Sequence, residues 1–274
     1  MKLKKFFFML WHWICLPFVL IALSLSLSSS KGKYNNLIED EDNAMTLSER
    51  HEYVYKLASR AVFCSFAKVK VKGEKNIPAN KPVLFVPNHK SNFDVLVFLK
   101  ALKKIKEDKS GILDTTFVSK IEISKTKKIS YVAKLINTIF LDRNNLRDIV
   151  RVNKEEKELL QKGEQSLTIF IEGTRIKNHE FGEFKSAALT PAYSTFCQIV
   201  PVVIYGTLGV EKESKKNIFK YKEVTVEFLE SIKYKDYIQV SKDLVCEKMK
   251  SKMEKAYLKL KEDPYWKEGD EQEN

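Results

Sequence analysis

The stretch Val83-Leu84-Phe85-Val86-Pro87-Asn88-His89-Lys90-Ser91-Asn92-Phe93-Asp94 governs how the rest of the chain reads. Four large apolar residues, Val83–Val86, read as a strand buried on both faces. Pro87 ends it. After a polar turn, Asp94–Lys104 carries apolar residues at helical spacing. His89 therefore sits on a strand-to-helix turn, and Asp94 in the first turn of the helix. Within one continuous helix, residues five apart would point about 140° away from each other. Across a turn the two side chains can meet.

The same alternation continues outward. Short apolar runs lie at Thr116–Val118, Thr138–Leu141, Leu167–Ile171, Ile199–Tyr205 and Val224–Phe228. Helical stretches lie at Leu146–Lys162 (with Gly163 as its stop), Ala187–Phe196 and Lys242–Lys261, which ends before Pro264. This pattern predicts an α/β fold, with a mixed, mostly parallel central sheet flanked by helices. Pro201 inside Ile199–Tyr205 predicts a sheet edge or a strand start. Upstream, Leu47 to about Val69 reads as an amphipathic helix with Leu57, Val62, Phe63 and Phe66 on its apolar stripe, capped by Thr46 or Ser48. Residues 31–46 read as a polar linker or turn.

Residues 6–27 are apolar and carry no formal charge. As a helix they would reach ~33 Å, enough to cross a bilayer. Lysines flank both ends, so orientation is weakly specified. Three readings stand: an embedded or spanning anchor, a helix lying in the interface, and a cleaved signal peptide. Pro17 predicts a kink. The division that follows is a membrane-associated helical segment and linker at 1–45, a folded domain at 46–264 and an acidic tail at 265–274.

Composition narrows the classes. The chain has 274 residues, 44% of them hydrophobic, which excludes a largely disordered chain. Only one stretch is long enough to span a bilayer, which excludes a polytopic membrane protein. Forty-eight basic against 36 acidic residues leave +12. The excess is lysine spread along the whole sequence, without the basic arm of a nucleic-acid binder. An anionic membrane surface fits better. Arginine is sparse, at six positions. The four cysteines form no Cys-x-x-Cys and read as isolated thiols in a reducing compartment, not as a metal site.

Two further strand ends carry charge. Leu167–Ile171 runs into Glu172-Gly173-Thr174-Arg175, and Thr138–Leu141 into Asp142-Arg143. Ligands of α/β sheets sit at strand ends. Gly173 permits close backbone approach, and Arg175 can grip a phosphate or carboxylate with two parallel bonds. The plainer readings are a tight turn with a surface ion pair, and an N-cap by Asp142. His89 and Asp94 also have two readings. An imidazole backed by a carboxylate is a minimal general base. With no Gly-x-Ser-x-Gly elbow in the chain, an acceptor's own hydroxyl would supply the proton. Alternatively, Ser91 and Asp94 form a capping box and His89 is a core histidine.

Four ordered blocks resemble the glycerolipid acyltransferase family, and they cover about residues 70–205. Residues 88–94 match Asn-His-x-Ser-x-x-Asp at every fixed position. Phe117-Val118-Ser119-Lys120 and Ile139-Phe140-Leu141-Asp142-Arg143 match the two ends of the second block. Phe170, Glu172, Gly173, Thr174 and Arg175 match the third, and Val200-Pro201-Val202 the fourth. The chain departs from the pattern at Ile171, usually proline, at Lys127, Ser130 and Asn137, usually proline and two glycines, and at Ile176 and Ala187.

The resemblance implies an O-acyltransferase that acylates the 2-hydroxyl of lysophosphatidic acid and makes phosphatidic acid in phospholipid biosynthesis. It implies His89 as base, Asp94 as its orienter, and Lys120, Arg143, Glu172, Gly173, Thr174 and Arg175 around the acceptor's phosphate. No cofactor or metal is implied; the acyl donor is a co-substrate, either an acyl carrier protein thioester, an acyl-CoA or an acyl phosphate. The implied partners are membrane lipids, lysophosphatidic acid and an acyl carrier protein, and the implied place is the cell membrane with the site on its cytoplasmic side. Other lysophospholipids, glycerol 3-phosphate, and a silent lipid-binding module remain as alternatives.

Overall fold

The computed structural model describes residues 2–40, 44–79, 81–108, 113–210 and 222–262, with side chains from Leu10 onward. The tail expected at 265–274 lies outside them. The strands are β1 (Ala67–Lys72), β2 (Val83–Pro87), β3 (Thr115–Lys120), β4 (Ile139–Leu141), β5 (Ser166–Thr168), β6 (Gln198–Tyr205) and β7 (Lys222–Phe228). They form one sheet in the order β1-β7-β6-β2-β5-β3-β4. The five strands from β6 to β4 are parallel. β7 runs antiparallel to β6, and β1 parallel to β7. The expected mixed, mostly parallel sheet is present, and the carboxyl ends of β2, β3, β4 and β5 share one edge of it.

The helices are α1 (Lys2–Glu39), α2 (Leu47–Cys64), α3 (Phe93–Asp108), α4 (Ile121–Ser124), α5 (Ile129–Leu135), α6 (Leu146–Lys162), α7 (Thr190–Thr195), α8 (Tyr234–Tyr237) and α9 (Lys242–Glu262). Strand periodicity sorts the core into two layers. Val83 and Phe85 of β2, with Val200, Val202 and Ile204 of β6, pack on α2 and α3. Leu84, Val86, Ile199, Val203 and Tyr205 face α6, α7 and α9. Burial on both faces explains why β2 and β6 read as continuous apolar runs.

Several expectations need correction. The helix expected from Leu47 to about Val69 stops at Cys64, because Phe66 adopts a φ of 56° and turns the chain. The missed strand is β1, whose alternating lysines keep an exposed sheet edge from pairing with another chain. Pro201 marks neither an edge nor a strand start: β6 is flanked by β2 and β7. The Pro201 carbonyl accepts from Leu229, one residue beyond β7. A strand residue's N–H and C=O point the same way, so the missing donor faces the place where the β6–β7 ladder has ended. Residues 31–39, read as linker, continue α1, which also runs through Pro17 as one helix. The expected strand Leu167–Ile171 is confined to Ser166–Thr168, and Ala187–Phe196 divides into a 3-10 turn, Ser186–Leu189, and α7.

The helix α1 is apolar on the outside, and hydrogen bonds help fix its other side to the domain. Trp11, Ile14, Phe18, Ile21 and Leu25 form an exposed stripe at helical spacing. On the other side His12 is buried and stacks on Phe63 of α2, with ring centroids 3.9 Å apart. Ser29 and Ser30 lie 3.0 and 3.2 Å from the Tyr53 hydroxyl. Arg60 donates to Ser26, and Lys128 to Ser28 at 3.2 Å. An exposed apolar stripe on a helix fixed to its domain is the surface of a membrane-associated protein.

One carboxyl in the core gives a pH signature. Glu156 on α6 is buried on the same face as Val152 and Leu160. Burial, with the charge of Glu155 beside it, pushes its pKa up to about 7. A carboxyl whose pKa is raised by folding costs stability as pH rises above its ordinary value, and the cost grows up to the raised pKa. Glu156→Gln should therefore gain on the wild type between pH 5 and pH 8, by on the order of 1–3 kcal/mol. Thermal unfolding at the two pH values checks this; parallel curves for the two proteins would refute it.

Candidate active site

The first block is assembled by hydrogen bonds from β6 and α3. Beyond Pro87 the side chain of Asn88 takes over from the strand ladder. Its Nδ2 donates to the Ile204 carbonyl at 3.1 Å, and its Oδ1 accepts from the Ile204 N–H at 2.7 Å. The next residue is His89. Oδ2 of Asp94 accepts from His89 Nδ1 at 2.9 Å, from the Lys90 N–H at 2.6 Å and from the Ser91 N–H at 2.9 Å. Capping and orientation, weighed above as rivals, are thus performed by one oxygen atom. Asp94 is fully buried, while the His89 side chain keeps 18% exposure. The imidazole lies against Phe170, with centroids 4.2 Å apart and planes 28° apart. With Nδ1 held by the carboxylate, Nε2 is the nitrogen on the opposite edge of the ring, available to take a proton.

The third block folds onto the first. The Ile169 N–H donates to the Phe85 carbonyl at 3.0 Å, and the Ile171 N–H to the Pro87 carbonyl at 3.3 Å. A proline at 171 could not make the second bond, so this departure adds a tie between β2 and the turn. The turn closes from the Gly173 N–H to the Phe170 carbonyl at 2.9 Å, with Gly173 at a φ of 64°. Glu172 is 2% exposed and turned inward. One carboxylate oxygen accepts from the His89 N–H at 2.9 Å; the other accepts from the Gly182 N–H at 3.2 Å. Glu172 thus supports the site from beneath. Thr174 and Arg175 are exposed, and the Ile176 N–H bonds the His89 carbonyl at 2.9 Å.

The second block supplies a polar recess that carries two cations and two carboxylates. Lys120 ends β3, and Asp142-Arg143 follow β4. A cavity of about 200 Å³ between them is lined by Lys120, Ile121, Glu122, Leu141, Asp142, Arg143 and Asn144. The Asp142 carboxylate turns back onto the Asn144 N–H, and Asn145 caps α6. Nη1 of Arg143 donates to the Gly173 carbonyl at 2.5 Å, which joins the second and third blocks. The departure at Asn137 is accommodated by its chemistry. Asn137 adopts a φ of 58°, which asparagine tolerates, and its amide bonds Arg50 and Gln165.

Residue types and spacing alone give Asn88, Lys90 and Phe170 no role. Asn88 and Phe170 lay inside matched blocks, and their partners are supplied by other segments. Lys90 occupies a variable position, with no signal in the sequence. Its side chain is 1% exposed, 3.4 Å from Glu172. Burial pushes its pKa down, and the Glu172 charge opposes that shift. Among the described residues no group of three or more His, Cys, Asp or Glu side chains could hold a metal ion, and all four cysteines are free.

A histidine–aspartate pair thus stands on the strand-to-helix turn of the first block, and the acyltransferase family model matches residues 68–205. The chain belongs to the acyltransferase family. A probable 1-acyl-sn-glycerol-3-phosphate acyltransferase of Mycoplasma pneumoniae is 37% identical over 207 residues, 76% of this chain and 73% of the relative. Its counterpart in Mycoplasma genitalium is 36% identical over 219 residues, 77% and 79% of the two chains. The crystal structure of the 1-acyl-sn-glycerophosphate acyltransferase PlsC from Thermotoga maritima superposes with a TM-score of 0.65 at 21% identity, over 95% of this chain and 98% of that one, a likeness of fold. In this acyltransferase, then, the N-terminal helix, sheet and helical layers form the architecture shared with that enzyme.

Gly173 brings its turn close against the Arg143 guanidinium. A Cβ there would lie 3.2 Å from Nη1 of Arg143, on a backbone conformation that side chains rarely adopt. Gly173→Ala should lower turnover by about 10-fold or more through displacement of the turn. Steady-state acyl transfer by the purified variant measures this, and unchanged turnover would show that the turn tolerates displacement.

Proposed function

We propose that this acyltransferase moves a fatty acyl group from an activated carrier to the 2-hydroxyl of 1-acylglycerol-3-phosphate, yielding phosphatidic acid. The observation that carries the mechanism is the 2.9 Å bond between His89 Nδ1 and Asp94 Oδ2. Asp94 holds the proton on Nδ1, so Nε2 takes the proton of the acceptor hydroxyl as that oxygen attacks the donor's acyl carbon. A C–O bond forms, and the bond from the acyl carbon to the carrier's sulfur or phosphate oxygen breaks. The proton on Nε2 passes to the departing thiolate, or to the released phosphate or water when the donor is an acyl phosphate. Asp94 offsets the positive charge on the imidazole in between. No acyl-enzyme intermediate is required.

The acceptor's phosphate fits the recess beside Lys120 and Arg143, with Arg175 on the adjoining turn. Holding the headgroup there places a hydroxyl at His89, and such positioning can remove several kcal/mol from the barrier. The names of the Mycoplasma relatives support this choice of acceptor. The outward stripe of α1 supports a seat at the bilayer surface, where lysophosphatidic acid presents its phosphate and buries its tail. Because α1 is bonded along α2, the helix brings the domain with it and does not act as a free tether. Soluble acyl carrier protein, acyl-CoA or acyl phosphate donors suit a site on the cytoplasmic side.

Two variants test the reading. His89→Ala should lose acyl transfer by on the order of 10²–10⁴-fold while still binding vesicles that contain lysophosphatidic acid. Near-normal turnover would remove the general-base role. Arg175→Lys keeps the charge and loses the planar fork. It should raise KM for lysophosphatidic acid by about 10-fold, read in a thin-layer assay with labelled donor; an unchanged KM would return Arg175 to a structural role.

A further inference from the structure

We propose that Lys90 and Glu172 form a positioning pair for acyl transfer, a buried ion pair that sets where His89 stands relative to the Gly173–Arg175 turn. The proposal rests on the acyl-transfer reading and extends it to a residue that the blocks leave unspecified.

Both side chains are removed from solvent, at 1% and 0% exposure, with Lys90 Nζ 3.4 Å from Glu172 Oε1. The ammonium also donates to the Glu180 carbonyl. It lies 4.7 Å from the centre of the Phe181 ring and 5.8 Å from that of Tyr257 on α9. Phe181 and Tyr257 pack edge to face, 5.3 Å apart. Lys90 thus reaches away from His89, beneath the 172–182 segment, into an aromatic box closed by the last helix. Asp94 and Lys250 are the other charged groups whose fields it feels.

The pair acts on His89 through its backbone. Glu172 accepts the His89 N–H, and the Ile176 N–H donates to the His89 carbonyl. The peptide groups on both sides of the base are therefore gripped by the third block. Asp94 grips the ring, and it also grips the Lys90 N–H. Lys90 holds the Glu172 carboxylate at the point from which it can bind His89. Stability alone does not call for such a pair. Replacing a buried ion pair with well-packed apolar groups is often neutral or stabilising, whereas removing one partner is strongly destabilising. What an ion pair supplies here is a fixed distance between two turns that come from segments more than eighty residues apart.

The experiment uses full-length protein in mixed micelles of detergent and lysophosphatidic acid, with one labelled acyl donor. Three proteins are compared with the wild type: Lys90→Met, Glu172→Gln and the double variant. The double variant leaves no uncompensated buried charge, so it remains informative if a single variant fails to fold. Its Tm should return to within about 4 °C of the wild type. Its kcat should stay lower by about 10-fold to 100-fold, with KM for the acceptor within about 3-fold. A merely structural pair would let kcat recover together with Tm, and recovery of kcat to within about 3-fold would overturn the proposal. So would a loss carried by KM, which would make Glu172 a contact of the acceptor. Hydrogen exchange read on peptides covering residues 88–92 needs no substrate. Exchange there should be faster in the double variant, and unchanged protection would also overturn the proposal. Should the wild type fail to acylate lysophosphatidic acid, the choice of acceptor falls, while the exchange result still decides whether the pair holds the turn.

Discussion

One oxygen atom organises this site. Oδ2 of Asp94 accepts three hydrogen bonds, from the imidazole of His89 and from the two backbone N–H groups that follow it. The backbone bonds fix the turn, and the imidazole bond fixes the tautomer. The atom that starts α3 is therefore the atom that orients the His89 ring. Because Asp94 is fully buried, water does not compete for these three bonds.

The rest of the sheet makes that arrangement possible. In parallel strands every carboxyl end lies on the same edge, so residues far apart in sequence arrive together. β2 delivers His89, β3 delivers Lys120, β4 leads to Arg143, and β5 leads to the turn at Gly173. The blocks are then cross-tied. Asn88 bonds β6, Ile171 bonds the end of β2, Glu172 bonds His89, and Arg143 bonds Gly173. Every tie has a backbone group as a partner, which any residue could supply. A sequence pattern does not display them.

The N-terminal helix leaves in the open an apolar stripe that a helix on a soluble domain would bury. His12, Ser26, Ser29 and Ser30 meet α2, and Trp11, Ile14, Phe18, Ile21 and Leu25 face outward. The polar groups find partners within the protein, and the apolar stripe is left for lipid. Chemistry on an amphiphilic acceptor requires a site near the boundary between hydrocarbon and water. A helix fixed to the domain by hydrogen bonds holds the two in a constant relation.

By itself the sequence determined the periodicities and the chemistry. Apolar runs of strand length, the stop at Gly163 and the charged strand ends are local features, and local features decide whether a segment can be strand, helix or turn. His89 and Asp94 were legible because five residues and one turn separate them. The fold of β1 was not legible, since a single residue in a left-handed conformation at Phe66 ends α2 and no composition rule marks it. The interior place of β6 was hidden by Pro201, whose missing donor is harmless only because β7 ends beside it. Whether Glu172 faces solvent or core, and whether Lys90 is a surface charge or a buried one, depended on segments more than eighty residues away. Only packing could decide these, because burial and ion pairing are properties of neighbours in space.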